Sequence, residues 1–221
     1  MLAGDWMSKN VVTLTEDTSM IKAARVMKEH QVRHLPVVDK DGRLSGIISE
    51  RDIKAASPSQ ATSLDVYELT HLLSEIKVKD IMTAKPLRIK PSDTVERAAQ
   101  ILRDNKVGGL PVVDDKDMVV GVITETDIFR LFTMLSGVDL GGIQLGLRLS
   151  AKEGTLKEVM DELRARHVRV ISLFSRQDTE GSGEIGMRDV YIRIHDLPLE
   201  TARQLQEHLE SKKQLLYWTK D

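Results

Sequence analysis

Leu35-Pro36-Val37-Val38-Asp39 and, a few residues on, Gly46-Ile47-Ile48-Ser49-Glu50-Arg51-Asp52-Ile53 decide the fold, because the chain writes them twice. A shift of 75 residues lays them on Leu110-Pro111-Val112-Val113-Asp114 and Gly121-Val122-Ile123-Thr124-Glu125-Thr126-Asp127-Ile128 without a gap. The register extends outward: Met7-Ser8 meets Met82-Thr83, and Ala23-Ala24 meets Ala98-Ala99. From Trp6 to Ile53, 14 of 48 positions are identical. Unrelated segments of ordinary composition would share about 3. The segment is duplicated.

Each copy reads as strand, helix, strand, strand, helix. Val11 to Leu14 is a short strand run, and Met20, Ala23, Ala24 and Met27 form the apolar stripe of an amphipathic helix. Val95, Ala98, Ala99 and Leu102 repeat that stripe. Asp17 or Thr18, and Asp93 or Thr94, are the N-cap candidates. Pro36 and Pro111 are expected to open strands, and Asp41-Gly42 to turn a hairpin. Ser49 and Thr124 stand where strand becomes helix.

A doubled h-x-x-L-P-V-V-D strand with a G-h-h-[ST]-x-x-D-[IL] turn closely resembles the CBS domain. The resemblance implies a pair of repeats about a pseudo-twofold axis. We assign 1–60 to the first repeat, 61–79 to a linker helix suggested by Leu64, Tyr67 and Leu72 to Ile76, and 80–136 to the second repeat. Residues 140–221 read as a third domain. Ile143, Leu145, Leu147 and Leu149 alternate with polar residues or glycine, Thr155-Leu156-Lys157-Glu158 spells a capping box, and Val168 to Phe174 is a strand. Arg176 to Gly186 is a loop, and Val190, Ile192 and Ile194 alternate again. Leu199, Ala202, Leu205 and Leu209 line a helix beginning near Pro198, and Gln214 to Trp218 ends the order β-α-β-β-α-β. That order is ferredoxin-like. With Glu153-Gly154-Thr155-Leu156 it resembles an ACT domain, although the Pro usual at that turn is absent. The fold class is therefore α+β: a CBS pair followed by a ferredoxin-like, ACT-like domain. The whole arrangement resembles AcuB-type acetoin-utilisation proteins.

Composition narrows the function. The 221 residues carry 32 Lys plus Arg against 34 Asp plus Glu, a formal charge of −2, which argues against a dedicated nucleic-acid binder. Aromatics are only 4%, so the cores are aliphatic, and the absence of Cys excludes disulfides, thiolate metal sites and a Cys nucleophile. No window approaches the roughly 18 to 20 apolar residues of a membrane span. Met1-Leu2-Ala3-Gly4-Asp5 lacks the pattern of a signal peptide, so a cytoplasmic location without membrane partners is expected. His30, His71, His167, His195 and His208 show no metal-ligand spacing. Asp114-Asp115-Lys116-Asp117 reads as a hairpin turn and not a calcium loop. No nucleophile is paired with a base, and no enzyme is read here.

Ser49 with Asp52, and Thr124 with Asp127, carry two readings. Either each pair is only an S/T-x-x-D capping box, or its carboxylate accepts ribose hydroxyls beside a helix N-terminus that attracts phosphate. The resemblance favours the second and implies two clefts. One gathers Thr124, Asp127, Val12, Thr13, Val32, Arg33 and His34; the other Ser49, Asp52, Leu87, Arg88, Val107, Gly108 and Gly109. Arg33 and His34 would meet phosphate in the first cleft, while Gly108 and Gly109, at the matching place in the second, would leave room and bare backbone with no cationic side chain beside them, so the first is favoured as the nucleotide site. The implied ligand is ATP, ADP, AMP or S-adenosylmethionine, sensed and not consumed, with a small metabolite at the ACT-like domain. The alternative is a ligand-free dimerisation scaffold. A homodimer is expected through an apolar face of Ile53, Ile128, Leu131, Phe132 and Leu135, and the regulated protein target is unknown.

Overall fold

The computed structural model describes residues 1–57, 73–177 and 186–220. They divide into two units, Met1–Phe129 and Arg130–Asp221.

In the first unit, β1 (Leu14–Thr15) precedes α2 (Met20–His30), β2 (His34–Val38), β3 (Leu44–Ser49) and α3 (Glu50–Ala56), after a short helix α1 (Ala3–Trp6). The second copy repeats the plan with α4 (Val78–Ile81), β4 (Thr83–Ala84), α5 (Val95–Asn105), β5 (Gly109–Val113), β6 (Val119–Thr124) and α6 (Glu125–Ser136). The boundary between the units falls inside α6. The helix stripes face the core: Met20, Ala23 and Met27 in α2, and Val95, Ala98 and Leu102 in α5, are buried. The cap of α5 is Thr94, but the cap of α2 is Ser19, whose hydroxyl accepts from the Lys22 amide; the expected Asp17 pairs with Lys79 instead. Pro36 and Pro111 sit third in their strands. Ile89 donates to the Pro111 carbonyl, so on this side of β5 proline offers only the acceptor it has. The first strand of each copy is minimal, two residues in β1 and a single bridge, Ile89 to Val112, in the second copy.

The copies exchange their leading segments. β4, from the second copy, completes the sheet β1-β2-β3-β4 of the first, and Ser8 bridges Val122 of β6 in return. The short helices follow: the Ala3 amide donates to the Asp93 carbonyl, and the Val78 amide to that of Thr18, 75 positions away on both sides. Gly121 and Gly46 make room for the crossing, since a Cβ there would lie 2.1 and 2.3 Å from the sulfur of Met7 and of Met82. Ala3 and Val78 are fully buried by it. The sequence reading missed these four-residue helices, which are too short to show a period.

The second unit contains β7 (Ile143–Ser150), α7 (Thr155–Ala165), β8 (Val170–Gln177), β9 (Met187–Ile194), α8 (Leu199–Lys212) and β10 (Gln214–Lys220). Its four strands form an antiparallel sheet in the order β10-β7-β9-β8. Leu145, Leu147, Val190, Ile192, Val159, Leu163, Leu205 and Leu209 close one core, as their alternation and periodicity require. On the other face of β7 and β9, Arg148 forks onto buried Asp189 at 2.8 and 3.2 Å and holds its carboxyl below the usual range.

Two expectations fail here, and others fall outside the described residues. Thr155 is not a cap: Gly154, in the left-handed region at φ 89°, starts α7, the Thr155 hydroxyl donates to the carbonyls of Ser150 and Lys152, and Glu158 pairs with Lys213. Leu199 is 88% exposed, because the first turn of α8 overhangs the core that Leu205 and Leu209 fill. Leu64, Tyr67 and most of the linker lie outside the described residues, as does most of the loop between Arg176 and Gly186. Among the described residues, no helix is long and apolar enough to cross a membrane.

Candidate functional site

β3 and β6 each end where their helix begins, which puts the two S/T-x-x-D segments at matched helix starts. In the first, Asp52 Oδ2 accepts from the Ser49 amide and hydroxyl at 2.7 Å each, and Ser49 Oγ accepts from the Asp52 amide at 3.3 Å. In the second, Asp127 Oδ2 accepts from the Thr124 amide and hydroxyl at 2.9 and 2.7 Å. Both capping boxes are therefore formed. All three of these bonds run through Asp52 Oδ2 or its amide, and Asp52 lines the cleft at this turn.

Two clefts open at these turns, both within the first unit. The smaller, about 310 Å³, brings together Thr124, Asp127, Val12, Val32, Arg33 and His34, with Ser8, Asn10, His30, Gln31 and Thr126. Thr13 is not on its wall. The larger, about 760 Å³, brings together Ser49, Asp52, Leu87, Val107, Gly108 and Gly109, with Arg51, Lys54, Lys85, Lys106 and Glu125. Arg88 is absent from it and pairs instead with Asp117 at 3.3 Å. Both volumes lie in the range of small-molecule sites.

The expected charge difference is reversed. Arg33 and His34 line both clefts, and the larger also presents Arg51, Lys54, Lys85 and Lys106. Nor do Gly108 and Gly109 leave bare backbone for a ligand. A Cβ at Gly108 would lie 2.9 Å from His34 Nε2, and one at Gly109 would lie 3.1 Å from His34 Cγ. The glycines accommodate the imidazole of the other copy, and so Arg33 and His34 reach past the pseudo-axis into the second cleft. Burial, then the neighbouring Arg33 charge, lowers the pKa of His34 and favours the neutral ring at pH 7; Glu125 and Asp52 oppose this more weakly. The Arg33 guanidinium donates to Thr126 Oγ1 at 3.4 Å. His30 is exposed and also lines the smaller cleft.

A signal for the missed residues was present. Every residue lining the smaller cleft has its counterpart 75 positions away lining the larger: Ser8 and Thr83, Asn10 and Lys85, His30 and Asn105, Gln31 and Lys106, Thr126 and Arg51. Carrying the repeat register through the whole wall, instead of only through the motifs, identifies them. Among the described residues, no group of three or more His, Asp or Glu could hold a metal ion.

The geometry is that of a pair of related repeats with two related clefts. The CBS domain family model matches residues 3–59 and 78–133, and the chain belongs to that family. A CBS domain-containing protein of Dictyostelium discoideum is 35% identical over 131 residues, 59% of this chain and 90% of that protein. A homoserine O-acetyltransferase of Methanohalobium evestigatum is 32% identical over 127 residues, but the match spans only 23% of that enzyme. Among solved structures, the CBS domain pair of MJ0100 in complex with 5′-methylthioadenosine and S-adenosyl-L-methionine superposes with a TM-score of 0.51 at 31% identity, covering 61% of this chain and 97% of that one. A putative acetoin utilization protein, AcuB, from Vibrio cholerae gives 0.51 at 27% identity, covering 63% and 95%.

Proposed function

We propose that this chain is a non-catalytic regulatory protein whose CBS pair senses an adenosyl ligand (ATP, ADP, AMP or S-adenosylmethionine) in the two clefts. One observation carries the reading: each cleft combines an S/T-x-x-D helix start with the residues before L-P-V-V of the other copy, in a cavity of nucleotide-site size. The MJ0100 pair with its two adenosyl ligands supports the chemistry. Asp127 and Asp52 would accept ribose hydroxyls, and the helix N-termini and Arg33 would face phosphate. In the tail, the β-α-β-β-α-β order with strands β10-β7-β9-β8 supports a ferredoxin-like, ACT-like domain that takes a small metabolite.

The test is calorimetric titration and thermal melting of the full chain with 5′-methylthioadenosine, S-adenosylmethionine, AMP and ATP. A ligand of the native state at about a hundredfold excess over its Kd adds about 2.7 kcal/mol. No heat and no shift with any of them would leave the scaffold reading. That reading has its own support, because both carboxylates already complete capping boxes.

We also propose a homodimer. Ile53 and Leu131 do not contribute to its face as expected, since the chain buries both. Phe129, Phe132, Met134 and Leu135 of α6 remain exposed and supply the apolar surface. Light scattering should give twice the 24.8 kDa chain mass, and a monomer at micromolar concentration would contradict it.

A further inference from the structure

We infer that the larger cleft is a polyphosphate site and that the smaller cleft takes an adenosyl ligand bearing at most one phosphate; this rests on the adenosyl-binding reading above. The argument is a controlled comparison that the duplication itself provides. Three neutral polar residues of the smaller cleft, Asn10, Gln31 and Thr126, are cations in the larger: Lys85, Lys106 and Arg51. The backbone is matched at one of these positions and differs at another, since Lys85 lies in the left-handed region at φ 48° and Asn10 does not. Gln31 and Lys106 both end a helix in the left-handed region, at φ 53° and 54°. At Gln31 and Lys106 the charge differs and the backbone does not.

Those three cations have no carboxylate partner among the described residues, whereas Lys54 is held by Glu50 at 2.7 Å. Exposed cations that meet no carboxylate among the described residues add little to the stability of the fold. They fit an anionic chain of several charges. Among the described residues that line the smaller cleft, Arg33 is the one permanently charged cation, enough for one phosphate. Volume agrees: about 760 Å³ against about 310 Å³. Because Arg33 borders both clefts, an occupant of the larger competes for the one guanidinium.

The experiment titrates the full chain with ATP, inorganic tripolyphosphate and 5′-methylthioadenosine by calorimetry. In the native protein, tripolyphosphate should displace ATP from the larger cleft but leave 5′-methylthioadenosine bound. The double variant Lys85→Gln/Lys106→Gln should weaken ATP and tripolyphosphate at least about tenfold, and flatten their salt dependence, with 5′-methylthioadenosine unchanged. The reciprocal variant Asn10→Lys/Gln31→Lys should raise ATP stoichiometry from one to two per chain. Unchanged ATP and tripolyphosphate affinity in the first variant overturns this assignment while leaving adenosyl sensing intact. No binding of any adenosyl probe by the native chain, with tripolyphosphate still bound, overturns the adenosyl reading and leaves only an anion cleft. Equal loss of ATP and 5′-methylthioadenosine in the first variant also overturns the division between clefts.

Discussion

The smaller cleft sets Asn10, Gln31 and Thr126 where the larger sets Lys85, Lys106 and Arg51, yet beneath them the two copies make the same crossings and the same helix starts. Met7 lies over Gly121 as Met82 lies over Gly46, and Thr124–Asp127 is wired as Ser49–Asp52. The difference teaches where each kind of residue is constrained. Positions that close the interior admit little change in volume. Those on the cleft wall answer only to what occupies it. The one place where the wall breaks the symmetry structurally is Arg33-His34 against Gly108-Gly109, because two bulky pairs could not share the pseudo-axis.

The scaffold half of this comparison should break equally in both copies. Gly46→Ala and Gly121→Ala each push a Cβ into a methionine sulfur, and each should cost about 1 to 3 kcal/mol by denaturant unfolding. Costs differing by more than about 1 kcal/mol would show that the crossings are not equivalent. Smaller and again matched, Ser49→Ala and Thr124→Ala remove the caps and should each cost about 1 kcal/mol.

His34 sharpens the asymmetry, since its counterpart is a glycine. The folded state lowers its pKa, so below the ordinary value of 6.5 the unfolded chain takes up a proton that the native chain resists. Its contribution is complete above pH 6.5 and is lost as the pH falls through the lowered value. The melting temperature should decline over that acid window, and His34→Gln should remove that part of the decline. The smallest effect lies at the hairpins. Asp117 occupies the left-handed position, φ 62°, that Gly42 holds at 79°, so Asp117→Gly should change stability by less than about 1 kcal/mol.

Much of this was legible in the sequence. The duplication, the helix stripes of α2 and α5 and the alternation of β7 and β9 follow from periodicity, which reports what is buried. Ser19 was missed because Thr18 beside it has the same capping chemistry, and only the register to Thr94 separates them. Two-thirds of the motif residues named for each cleft or more reached its wall, because they follow from the paired topology. The sharing of Arg33 and His34 did not, since it depends on side chains crossing an axis that no local pattern reveals. The exposed Leu199 and the buried Ile53 and Leu131 were misread for a related reason: a stripe gives a face, and tertiary packing decides what covers it.

The central claim is that the S/T-x-x-D carboxylates serve two clefts of different ligand class, beyond capping their helices. Calorimetric titration of Asp52→Ala and Asp127→Ala with ATP and with 5′-methylthioadenosine tests it most directly. The account predicts that Asp52→Ala weakens ATP by about tenfold to 150-fold and spares 5′-methylthioadenosine, and that Asp127→Ala does the reverse. Native affinity for both ligands in both variants, with only a modest loss of stability, would contradict it and reduce the two carboxylates to caps.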